Sequence, residues 1–346
     1  MSTWRDRVRS WNSDAGISEL PLIQAPMAGG PSRPALAAAV SRAGGIGFLA
    51  AGYLTPDALA RQIDELAGAR VPVAVNIFLP DADPPHAADE VVRYADELEP
   101  AAARVGATLD PTVAYTDDAY REKIALLVDR RVALASFTFG CPQDWMVEQL
   151  HAAGTAVIAT VTSIEEADAA AAVGVDAICA QGTEAGGHRA TFDQATSAPD
   201  TATIDLVDAL RRFDLPVIAA GGVADSRDVA ALLAAGAVAV QVGTALLRAD
   251  EAGTSPTHRA GLAAFTSRPT VLTRAYSGRQ ARGIRNRFIE EFDAAAPAAY
   301  PRVNSLTRAI RSAGSDDPEV INLWAGTGFA AARGGPVVEL LRALTP

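Results

Sequence analysis

Apolar and polar positions along the chain fall into two alternating rhythms. Short runs rich in Val, Ile, Leu and Ala alternate with longer stretches whose apolar residues recur at helical spacing. The short runs are PLIQAP (21–26), IGFLAA (46–51), PVAVNIF (72–78), VALASFTF (132–139), AVIATV (156–161), AICAQG (177–182), PVIAAGG (216–222) and AVAVQVG (237–243). Parallel strands buried on both faces are continuously apolar rather than strictly alternating, so these runs predict a parallel sheet with helical crossovers. Their number is that of a (β/α)8 TIM barrel. Helix starts are marked by Pro56-Asp57, by Ser163 with Glu166 three residues on, and by Asp225-Ser226.

Two stretches break the rhythm. After the third run, PDADPP (80–85) leads into two helical patterns, which predicts an insertion over about 80–128 at a strand's carboxyl end, where barrels place lids. Beyond residue 265 the strand–helix alternation stops. The expected organisation is a barrel over 15–265 and a C-terminal cap with flanking helices over 266–346.

Composition narrows the chemistry. A net charge of −11 argues against a nucleic-acid partner, which would demand a basic patch. The start MSTWRDRVRSWN lacks the apolar stretch of a secretory signal, and the Ala/Gly/Leu-rich segment 34–54 is too interrupted to span a membrane. The expected location is cytoplasmic. Cys141 and Cys179 are too few for a disulfide framework, and four scattered histidines give no metal site. Lys123 is the only lysine and lies in the helix-period stretch AYREKIALLVDRR, away from any strand end. Schiff-base and pyridoxal phosphate chemistry, which need a lysine amine, are thereby disfavoured.

Three motifs bear on function. Gly45-Ile-Gly47-Phe-Leu-Ala50 matches a dinucleotide-binding pattern, but it opens a strand instead of following one. Ala220-Gly221-Gly222-Val223 and, one unit later, Gln241-Val242-Gly243-Thr244 end the seventh and eighth barrel strands. Those loops, with a helix N-terminus, hold phosphate in many barrels. Past the sixth strand, Gln181-Gly182-Thr183-Glu184-Ala185-Gly186-Gly187-His188-Arg189 puts an imidazole beside a Gly pair at the barrel mouth. His86, His151 and His258 fall in a Pro-rich insertion, at a helix end and in a helix-like surface stretch.

PLIQAPMAGG (21–30), ASFTFGCP (135–142), QGTEAGGHR (181–189), AAGGV (219–223), QVGT (241–244), SGRQARGIRN (277–286) and LWAGTG (323–328) together resemble the nitronate monooxygenases, formerly 2-nitropropane dioxygenases, of the class I branch. The resemblance implies non-covalent FMN in a TIM barrel, and oxidation of alkyl nitronates such as propionate 3-nitronate, and of nitroalkanes, by O2 to carbonyl compounds and nitrite. It implies that His188 is the active-site base. The implied FMN contacts are Asn76, Gln181, Gly186 and Gly187, with Gly221, Gly222, Gln241, Val242, Gly243 and Thr244 around the phosphate. The backbone of Ala25, Pro26 and Met27 would lie under the ring. Tyr300, Asn304 and Arg308 fall where the family places polar substrate contacts, at a spacing that shares one face of a helix. Flavin-dependent enoyl-acyl-carrier-protein reductases are similar at AGGH, so the alternative is an NAD(P)H-dependent FMN reductase of an enoyl thioester or quinone.

Overall fold

The computed structural model describes residues 20–346. The opening segment MSTWRDRVRSWN and the expected barrel start at residue 15 lie outside the described residues. Eight parallel strands close into the barrel: β1 (Leu22–Gln24), β2 (Phe48–Ala50), β3 (Ala74–Phe78), β4 (Leu134–Thr138), β5 (Ala156–Val161), β6 (Ala177–Gln181), β8 (Val217–Ala220) and β9 (Ala239–Val242). β7 (Gly187–His188) lies in the loop between β6 and β8. Each barrel strand sits within one of the apolar runs. The hydrogen-bonded order is β1-β9-β8-β6-β5-β4-β3-β2. A parallel bridge between Ile23 and Ile46 completes the ring, with Gln24 N–H donating to the Ile46 carbonyl at 2.8 Å.

Burial on both faces explains the continuous apolar runs. In β5, Ala156 and Ile158 point into the barrel with Phe48, Leu134 and Ile218, while Val157, Ala159 and Val161 pack outward against the helices. The glycines of the 45–50 motif serve this packing. A side chain at Gly47 would meet the Ala37 carbonyl oxygen at 2.0 Å, so the strand approaches the preceding helix closely and binds no nucleotide there.

The insertion forms the helices Ala87–Val105 and Tyr120–Asp129. The first packs Val91, Tyr94 and Leu98 against Tyr276, Phe288, Val303 and Ile310, so insertion and C-terminal region share a second apolar core above the barrel. The C-terminal region is not helical throughout. Strands β10 (Thr270–Thr273) and β11 (Ala281–Ile284) form an antiparallel hairpin, and β11 pairs with β7. The last helix, Val337–Leu344, returns to the barrel's outer core.

Lys123 also departs from expectation. Its helix is where the sequence puts it, but the side chain is fully buried and reaches the carboxyl end of β2, donating to the Ala51 carbonyl at 3.0 Å. Its ammonium lies 2.7 Å from Asp118. Asp118 in turn accepts the Tyr53 N–H at 3.2 Å. A lysine held this way is a staple, and its amine is not free for Schiff-base chemistry.

Candidate active site

The barrel mouth opens into a cavity of about 450 Å³, within the range of small-molecule sites. His188 stands in its wall. The loop carrying it is fixed by backbone pairing, Gly187 to Arg282 and His188 to Ala281. Gln181, at the end of β6, donates to the His188 carbonyl at 3.0 Å and accepts the Ala190 N–H at 2.9 Å. Both ends of that amide therefore hold the loop. Buried Arg189 donates to the Gly182 and Gln181 carbonyls behind it. Gly186 is required by close approach, since a Cβ there would meet the Gly326 nitrogen at 2.4 Å and the Ala325 carbonyl carbon at 2.5 Å.

The imidazole sits in an aromatic and cationic frame. Phe139, Trp324 and Tyr300 rings lie 5.6, 5.5 and 5.8 Å from it. Its Nε2 is 2.8 Å from the Ser277 hydroxyl, which is also 3.1 Å from the Arg279 carbonyl. A carbonyl can only accept. The arrangement that satisfies all three groups has Nε2–H donating to Ser277 and Ser277 donating to Arg279. Nδ1 then carries the lone pair, and it makes no hydrogen bond among the described residues. Burial, followed by the positive charges of Arg279 and Arg311, pushes the His188 pKa down to about 3. The ring is a neutral base throughout the physiological range.

The opposite wall is built by the loops after β8 and β9. Gly221, Gly222, Val223, Gly243 and Thr244 line the cavity there. Gly222 has φ +73°, a conformation that favours glycine. The N–H groups of Gly222, Val223, Gly243 and Thr244 make no hydrogen bond among the described residues, which leaves them for an oxyanion. The following helix, Ser226–Ala234, does not contribute its N-terminus as the sequence suggests. Asp225 accepts from its first turn, and Asp228 takes the N–H groups of Ala224 and Asp225 at 2.8 and 3.0 Å. Two carboxylates cap that helix start, so the free donors on this wall are the loop amides.

The other sequence-derived residues divide. Ala25, Pro26 and Met27, with Asn76, Gln181 and Gln241, line the cavity. Asn76 donates to Ser136 Oγ at 2.9 Å and Thr138 Oγ1 at 3.0 Å on the neighbouring strand. Val242 turns its side chain into the outer core, so only its backbone, whose carbonyl accepts from Ala25, faces that region. Asn304 and Arg308 line the cavity, and Tyr300 walls an adjoining cleft of about 270 Å³ that shares Tyr53, Phe78, Asn304 and Arg308 with it. His258 is not a surface residue. It is 9% exposed, lines the cavity, bonds the Trp324 carbonyl at 3.1 Å, and is pushed by burial down to about 4. His151 is exposed and bonds Asp176.

Sequence reasoning missed Ser277, Tyr53, Trp324 and Arg311. Ser277 opens SGRQARGIRN, a motif singled out with no role given to its serine. Arg311 stands seven residues after Asn304 and three after Arg308, so continuing the same helical face would have found it. The thiols offer no alternative chemistry. Burial pushes Cys141 up to about 11 and Cys179, inside the barrel, up to about 12. No metal-binding cluster occurs among the described residues, and no helix among them is long and apolar enough to cross a membrane.

Residues 14–346 match the family model for nitronate monooxygenase. A probable nitronate monooxygenase of Bacillus subtilis is 38% identical over 315 residues, 89% of this chain and 90% of that one. Its counterpart in Staphylococcus saprophyticus is 37% identical over 316 residues, covering 88% of each. Among solved structures, nitroalkane oxidase from Streptomyces ansochromogenes superposes with a TM-score of 0.89 at 42% identity, covering 96% of both chains. FabK from Thermotoga maritima follows the fold at 27% identity and a TM-score of 0.75, over 99% of this chain and 95% of that one. The chain belongs to the nitronate monooxygenase family, a family of oxidoreductases.

Proposed function

We propose that the protein binds FMN in the barrel-mouth cavity and uses O2 to oxidise small alkyl nitronates, propionate 3-nitronate being one example, and nitroalkanes, to carbonyl compounds and nitrite. The observation that carries this reading is a neutral, half-buried imidazole facing a cavity whose far wall offers four unbonded backbone N–H groups. The residues present fit FMN. The amides of Gly222, Val223, Gly243 and Thr244 would hold its phosphate, Ala25 to Met27 would lie against the ring, and Asn76 and Gln241 would meet polar edges. Bound there, the flavin supplies the one-electron and O2 chemistry that no side chain can.

This chain's residues handle the substrate and its proton. For a neutral nitroalkane, Nδ1 of His188 takes the α-proton while Ser277 fixes the ring. The imidazolium that forms is disfavoured by Arg279 and Arg311, but the nitronate left behind is an anion that compensates it. A substrate that enters already as a nitronate needs no base, and the ring then only positions it. The aromatic frame and capped mouth exclude water from these exchanges. Two unpaired thiols suit a reducing cytoplasm.

The test is an absorbance spectrum of the purified protein, then oxygen uptake with ethyl nitronate and, separately, anaerobic mixing with NADH or NADPH. Yellow protein that consumes oxygen with the nitronate and is not bleached by the nicotinamides supports the proposal. Colourless protein that takes up no added FMN refutes it, and rapid bleaching by NADH moves the assignment to a flavin reductase.

A further inference from the structure

We propose that Arg311 is the substrate-anion receptor of this cavity, the group that makes the site prefer an ionised nitronate to a neutral nitroalkane. The inference rests on the nitronate reading above and adds to it the residue that selects the charge.

Arg311 lines the cavity on the capped side. It donates to the Asn304 carbonyl at 2.7 Å, Asn304 Oδ1 at 3.0 Å, Thr307 Oγ1 at 3.2 Å and Asn322 Oδ1 at 3.4 Å. Every one of these partners is neutral. No carboxylate pairs with it among the described residues, whereas Arg279 has Asp81 at 3.1 Å and Arg302 has Asp83 at 2.7 Å. Arg189 also lacks a carboxylate, but its guanidinium is engaged by loop carbonyls and does not reach the cavity. The titratable groups bearing on Arg311 are the phenols of Tyr53 and Tyr276, both kept un-ionised by desolvation, and a second cation, Arg308.

Arg311 is partly buried, and a cation withdrawn from water without a counter-charge is costly, a cost recovered when an anion arrives. The guanidinium fork suits a planar anion that shares its charge between two oxygens. A nitronate has that form, while a neutral nitro group offers the same oxygens without the charge. Asn304 and Thr307 hold the fork in place, and Arg311 and His188 line the same cavity. The imidazole and the guanidinium would then grip opposite sides of one small anion.

The experiment compares the wild-type protein with Arg311→Met and Arg311→Lys, each checked for flavin content and melting temperature. Steady-state rates are measured with ethyl nitronate and with nitroethane, and calorimetry follows binding of inorganic nitrate, a planar oxyanion that needs no turnover. We expect Arg311→Met to lower kcat/KM for the nitronate by about 10²-fold, mainly through KM, the usual effect of removing one partner from a buried charge pair. For nitroethane, whose ground state carries no charge, KM should rise roughly threefold or less, any fall in kcat reflecting the nitronate charge that develops as the α-proton leaves. Nitrate binding should weaken in parallel with the nitronate, and Arg311→Lys should restore part of both. Equal rises in KM for the two substrates, or unchanged nitrate affinity in Arg311→Met, would overturn the proposal. So would loss of flavin from that variant with nitrate still bound after refilling. If the wild type turns over no nitronate yet binds nitrate through Arg311, the anion receptor stands and the reaction assignment fails.

Discussion

Two histidines held as neutral rings, one buried and one half-buried, make the fold sensitive to mild acid in a calculable way. His188 is held at about 3 and His258 at about 4, both chiefly by burial, whereas an unfolded chain titrates its histidines near 6.5. Between those values the unfolded state binds protons that the native state refuses, so native stability falls as pH falls. The contribution is fully present above about pH 6.5 and is lost progressively on acidification toward the folded values. From pH 7 to pH 5 each ring costs about 2 kcal/mol by this linkage, and the pair about 4 kcal/mol. That is a large share of the 5–15 kcal/mol typical of a folded domain. Urea titrations at pH 7, 6 and 5 on the wild type and on His258→Asn should show it, the variant losing about 2 kcal/mol less across the range. His86 and His151 remain in both proteins and cancel. A wild-type midpoint that does not move between pH 7 and 5, or a variant with the same pH slope, would refute the assignment of these rings as uncharged.

Other outcomes test the site and its scaffold. His188→Asn should slow nitroethane turnover by roughly 10² or more while sparing ethyl nitronate, as measured by oxygen uptake. Gly186→Ala forces a methyl group into the Ala325–Gly326 backbone, so the purified variant should lose bound flavin and show raised KM values. Lys123→Met leaves Asp118 without its cation beside the Tyr53 turn, and the urea midpoint should fall by an amount equivalent to about 3 kcal/mol.

The barrel is legible in the sequence because parallel strands must be apolar on both faces, and that demand writes itself into consecutive residues such as Ala156–Val161. The half of the site built on those strands is legible for the same reason. Asn76, Gln181 and Gln241 lie in strands that can be found locally, Gly222 lies just past one, and each stands at the cavity. The errors fall where local pattern is ambiguous. The helix start at Asp225-Ser226 is placed correctly by sequence, but that its first turn is capped by Asp225 and Asp228 is seen only in the structure. His258 lies in a short stretch with few apolar neighbours in sequence. Its burial comes from Trp324, brought to it from far along the chain.

The cap obeys a different rule, and this bears on how the enzyme is made. His188 belongs to a two-residue strand that has no propensity to exist alone. It exists because β11, about ninety residues later, supplies its hydrogen-bond partners. Ser277 precedes that same strand, and Tyr94 of the insertion bonds the Ala275 carbonyl at 2.7 Å, so the second apolar core sets the height of the hairpin over the ring. The barrel therefore provides the floor of the cavity, while a region without barrel rhythm orients the His188 ring and supplies Arg311. Changes in the cap that preserve Tyr94, Tyr276 and Phe288 can alter which anion is accepted without disturbing the floor. Changes to those aromatics should instead loosen His188 and depress turnover of every substrate alike, with loss of about 3 kcal/mol or more for a large-to-small replacement.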